Sequence, residues 1–111
     1  MDPFTTHGNI VADIRKGAFS NNIALQSLDF QADAHKNLAA IFPNRLVNGW
    51  YTANFPSSSF AFVNKTGVTQ FRLRFQRDDD NDGISDLLRF FSGDYFNVNL
   101  RPTLIIEYYV P

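Results

Sequence analysis

Nine consecutive residues of this chain, Asp78-Asp79-Asp80-Asn81-Asp82-Gly83-Ile84-Ser85-Asp86, hold five of its eleven acidic side chains. Read from Asp78, the spacing is D-x-D-x-D-G-x-x-D. Calcium takes roughly six to eight oxygen ligands, and alternate residues of a tight loop can turn several carboxylates toward one point. Asp78, Asp80 and Asp82 would supply such carboxylates, and Gly83 would allow the sharp turn. Ile84 would offer its backbone carbonyl, and Asp86 would bind directly or through water. The twelfth position is Arg89 rather than a bidentate glutamate. A missing ligand would then come from Asp94, a carbonyl or water, and the affinity expected is in the weak range of about 10⁻⁴–10⁻³ M. The alternative is a solvated acidic hairpin loop, its charge balanced by Arg72, Arg74, Arg77 and Arg89.

Trp50 and Tyr51 are the second chemical feature. One of two neighbouring aromatics on a strand must face outward, where it could stack on the apolar face of a sugar ring. The other packs in the core with its polar tip bonded, and packing is the more ordinary fate of both. Tyr95, Phe96, Asn97 and Asn99 fall in a polar stretch and either bind or cap the core. His7 and His35 have no partner at metal-ligand spacing. Asn64-Lys65-Thr66 fits a glycosylation sequon and makes an equally good turn.

Catalysis finds little footing. The chain has no G-x-S-x-G, no phosphate-binding glycine loop and no histidine-based triad. Its clustered carboxylates would be ionised, whereas a general acid needs a raised pKa, usually from an apolar pocket. Zero cysteine excludes disulfides, thiol catalysis and zinc–thiolate sites. A net charge of −1 argues against a nucleic-acid binder held by phosphate contacts. No apolar run is long enough to span a membrane, and Met1-Asp2-Pro3 does not open a signal peptide. The expectation is a single non-enzymatic module over residues 1–111. Twelve phenylalanines are a heavy load for it. They must fill a sheet core or leave an apolar surface for a partner.

The elements that must position these groups read as short strands. Residues 10–14 form one, with Ile10, Ala12 and Ile14 on a single face. Residues 23–42 read as loops and short strands ended by Pro43; Ala and Leu make a helix the alternative, but no good cap is visible. Residues 50–55 form an aromatic strand. Serines 57–59 lead into one or two helical turns over residues 60–63. Residues 69–76 alternate strictly, with Phe71, Leu73 and Phe75 facing in and Arg72, Arg74 and Gln76 facing out. Residues 87–91 and 103–110 complete the set, Pro102 standing at the start of the last strand. Such a pattern predicts an all-β fold, a jelly-roll-like antiparallel β-sandwich with at most two short helices.

The stretches VADIRKGAFSNNIALQSLDFQA, TQFRLRF, the acidic loop that follows, FFSG and RPTLIIEYYVP occur in an order that resembles the DNRLRE-type, or disaggregatase-related, C-terminal modules. The resemblance covers most of residues 4–111. The opening of the 78–86 loop is also similar to an EF-hand loop and to the calcium loops of thrombospondin type 3 and dockerin repeats. The family resemblance implies a carbohydrate-binding accessory module at the end of a larger secreted or cell-surface protein, with polysaccharide as partner. Complete modules of that family are longer jelly rolls with several strands ahead of the part seen here, so the resemblance implies that this chain is the C-terminal part of one. The family's short helix often carries an inner tryptophan, where this chain has Phe60, Phe62 and Val63. A chain lacking the earlier strands would leave a sheet edge open, and an open edge invites a second copy to pair as a homodimer. A structural or protein-interaction module without a glycan ligand is the alternative function.

Overall fold

A computed structural model describes residues 3–77, 83 and 88–110. After a short helix α1 (Pro3–His7), three strands β1 (Ile10–Lys16), β2 (Lys36–Phe42) and β3 (Thr69–Phe75) form an antiparallel sheet in the order β2-β1-β3. Short 3₁₀ segments lie at Phe19–Asn21, Ser27–Phe30, Ser57–Phe62 and Val98–Leu100. Among the described residues the fold is therefore mostly β with a few short helices.

β1 is the central strand and is covered on both faces. Ile10, Ala12 and Ile14 are buried on one face as the alternation requires, but Val11 and Asp13 on the other are buried just as completely. The first face carries an aromatic layer from α1, residues 51–55 and Ser57–Phe62. Phe4 lies 5.7 Å from Tyr51 and 6.2 Å from Phe75, and Phe55 lies 5.3 Å from Phe71. The second face is covered by residues 18–35, with Phe19 buried beneath the guanidinium of Arg72.

β3 keeps register with β1 over seven successive pairs, from Ile10↔Phe75 to Lys16↔Thr69. β2 slips between Ala12 and Ile14, where Leu38 takes a φ of +53°. That bulge costs a non-glycine residue local strain. In return the Leu38 N–H points at the Asp13 carboxylate and donates to it at 3.0 Å. The His35 side chain continues β2 in another way, its Nδ1 accepting from the Lys16 N–H at 2.9 Å.

Several expectations need correction. The arginines of β3 do not face solvent: Arg72 and Arg74 turn onto Asp13, whereas Leu73, expected inside, is 47% exposed. A loop laid over the second face supplies polar partners there, so the alternation marks two faces without telling which is wet. Trp50 pairs with Val47 alone, residues 51–55, 88–91 and 103–110 carry no strand pairing among the described residues, and Leu87 lies outside them. A strand is stabilised by cross-strand neighbours, which these segments lack. Residues 51–55 serve instead as an extended layer whose side chains alternate between half-buried and exposed. The helical turn at Ser57–Phe62 forms as expected, though Pro56 rather than a serine begins it. The 3₁₀ turn Ser27–Phe30 has the cap that the sequence hides, a reciprocal pair of Gln26 and Asp29.

Candidate functional site

The proposed metal ligands Asp78, Asp80, Asp82, Ile84 and Asp86 lie outside the described residues. Gly83 has a φ of +71°, a left-handed turn that glycine adopts at little cost. Asp94, considered as an extra ligand, accepts a 2.6 Å hydrogen bond from Ser92 Oγ. No group of three or more acidic or histidine side chains gathers around one point among the described residues.

Trp50 and Tyr51 sit where an isolated bridge leads into an extended segment. Val47 and Trp50 close a two-residue hairpin through paired backbone hydrogen bonds of 2.9 and 3.0 Å. Asn48 and Gly49 have φ of +52° and +83° in its turn. Both central residues are left-handed, as a type I′ turn demands, which is why Asn-Gly stands there. Trp50 is 38% exposed beside this turn, whereas Tyr51 is half-buried against Phe4. Tyr95 is held between Phe91 and Phe96, ring centroids 4.3 and 4.5 Å away, and its carbonyl accepts from Arg101 Nε. This aromatic trio caps its own loop, with Phe96 left exposed.

The constellation that sequence reasoning missed is centred on Asp13. Its carboxylate is fully buried and accepts from Arg72 Nε at 2.8 Å, Arg74 Nε at 2.8 Å and Arg74 Nη2 at 3.2 Å, besides the Leu38 N–H. Burial pushes the Asp13 pKa up. The hydrogen bonds from Arg74, Leu38 and Arg72 outweigh it and hold the carboxyl below its ordinary value. Asp13 therefore stays ionised, and the cluster carries one net positive charge from two guanidinium groups and one carboxylate. Arg72 continues outward: its Nη1 donates to the carbonyls of Asp29 and Ala32, and its Nη2 to Asn37 Oδ1. The signal for this cluster was an aspartate inside an apolar strand opposite alternating arginines. Only the register reveals that Asp13 faces Arg72.

Beside the cluster runs an open groove of about 750 Å³, lined among others by Phe30, Asn37, Arg74, Gln76 and Arg77. Phe30 is 77% exposed on its rim. Gln76 is fixed, because its Oε1 accepts from the Asn9 N–H at 2.8 Å. An exposed flat ring, amides and guanidinium groups held from behind by a buried carboxylate form a surface suited to a polar ligand with apolar faces. No family model, curated protein or solved structure matches the chain.

Proposed function

We propose that this chain is a non-catalytic, carbohydrate-binding accessory module of a secreted or cell-surface protein. In this reading the sheet belongs to a jelly-roll-like sandwich, and the loop at residues 78–86 holds a structural calcium ion. The observation that carries the binding claim is the groove over the Asp13 cluster. The exposed Phe30 ring offers a stacking platform, and Asn37, Gln76 and Arg77 offer hydroxyl partners. A volume of about 750 Å³ suits a few sugar rings. Trp50 is a second platform on a separate hairpin.

The test is a polysaccharide panel read by affinity electrophoresis and calorimetry, in calcium and in chelator. Saturable binding that is lost in F30A and R77A but kept in W50A places the sugar in the groove. Loss in W50A alone moves it to the hairpin. No binding by the folded chain in either condition removes the carbohydrate reading. It would leave the structural or protein-interaction module, which the exposed apolar residues 104–110 favour.

A further inference from the structure

We propose that residues 103–110 add as a strand to the outer edge of β3 in a second copy of the chain, the two copies exchanging strands reciprocally. This goes beyond the carbohydrate reading and does not depend on it. The segment Thr-Leu-Ile-Ile-Glu-Tyr-Tyr-Val is almost entirely residues that favour strands. It has no strand partner among the described residues, and its large apolar side chains run from 52% exposed at Leu104 to 100% at Tyr109. Apolar residues occupy both of its faces, as in a strand that lies inside a sheet rather than beside one.

Two edges of the sheet are open among the described residues, and they differ. β2 is bulged at Leu38 and is followed directly by Pro43, both features that discourage pairing. β3 is regular over its whole length, carries neither proline nor lysine, and leaves Leu73 half exposed. Because the even-numbered residues of β3 bond to β1, as Gln76 does to Asn9, the backbone groups of Phe71 and Leu73 point outward.

The side chains of donor and acceptor match. Laid antiparallel with Glu107 opposite Arg72, the segment sets Leu104, Ile106 and Tyr108 beside Phe75, Leu73 and Phe71. Glu107, its single charge, then falls on the face of Arg72 and Arg74, where the cluster of Asp13, Arg72 and Arg74 carries one net positive charge. The area also suffices. Two tyrosines bring about 150–250 Å² each, and with four aliphatic side chains one segment approaches the roughly 800 Å² that each partner gives to a stable interface. Reciprocal exchange doubles this and closes the assembly with two-fold symmetry.

Sedimentation velocity of the full chain across micromolar concentrations should show a dimer. I106P removes a ladder N–H from the exposed segment without touching the sheet, and should weaken the dimer at least about tenfold, with the chain still unfolding cooperatively. E107R should weaken it severalfold. The chain has no cysteine, so L73C and I106C each carry a lone thiol. When the two variants are mixed, a short thiol crosslinker should join L73C to I106C in preference to either like pair. A monomer at all concentrations overturns the proposal, as does a dimer indifferent to I106P. Crosslinking only within a chain that carries both cysteines, with none between chains, overturns it too, because the segment would then pair with its own β3.

Discussion

Replacing Asp13 by alanine removes the anion that, among the described residues, holds two arginines at the centre of the sheet. Arg72 is 15% exposed and Arg74 34% in their side chains, so neither guanidinium is free in water. Breaking a buried pair from one side costs about 3–5 kcal/mol, because the remaining charge is left uncompensated. Arg74 can swing partly into solvent, which favours the lower end of that range. D13A also leaves the Leu38 N–H, turned inward by the bulge, without its acceptor. Domains of this kind hold about 5–15 kcal/mol in total, so D13A should lose a large fraction of stability. At about 4–8 °C per kcal/mol for a small domain, its midpoint should fall by 12 °C or more. D13N keeps the shape and one acceptor but not the charge, and should cost about 1.5–3 kcal/mol. Urea unfolding followed by circular dichroism and Trp50 fluorescence measures both. A loss below about 1 kcal/mol for D13A would refute the reasoning, since it would mean that the arginines find equivalent partners elsewhere.

The same carboxylate sets a pH dependence. Its folded pKa lies below the unfolded value, so its contribution is complete above the unfolded pKa of about 3.9 and is lost as pH falls through the lower folded one; wild type should lose more stability than D13N between pH 5 and acid, as read by urea midpoints. Gly8 and Gly49 both need positive φ, but a Cβ at Gly8 would meet Gln76 Oε1 at 2.9 Å while Gly49 has open space. G49A should cost about 1–2 kcal/mol and G8A clearly more, by the same unfolding assay. In the calcium reading, calorimetric titration should give a dissociation constant of about 10⁻⁴–10⁻³ M, and D80N/D82N should abolish it. R72K should speed hydrogen exchange at the amides of Asp29 and Gln31, because lysine cannot span Asp13, two carbonyls and Asn37 at once.

The parts of the fold legible in the sequence are those in which a residue and its nearest neighbours decide the outcome. Strands β1 and β3, the stop at Pro43 and the turn at Ser57–Phe62 belong here. What was not legible depends on distant pairing. The burial of Arg72 and Arg74 needs β1 beside β3 in one register and residues 18–35 folded over that face. The bulge at Leu38 follows from the position of Asp13, twenty-five residues earlier. Residues 103–110 read as a strand because their composition is that of one. A strand needs a neighbour that composition cannot supply, and among the described residues none is present.

The buried charges explain how so small a sheet keeps a long irregular loop in place. Ile23, Leu25, Leu28 and Phe30 are all well exposed, so residues 23–30 bury little apolar surface on the sheet. What fastens the loop is hydrogen bonding from the strands. Arg15 donates to the carbonyls of Ala18 and Asp33, Arg72 to those of Asp29 and Ala32, and Gln70 to that of Ile23. Each donor is itself on β1 or β3, and Asp13 aligns the most heavily used of them. A hydrophobic cluster in its place could match the stability, but it would leave the loop carbonyls without donors and the groove without a fixed wall. The cluster thus sets the position of Phe30 and Asn37 relative to Arg74 and Gln76. Substitutions at Asp13 that leave the sheet folded should still disturb the sugar binding proposed for the groove.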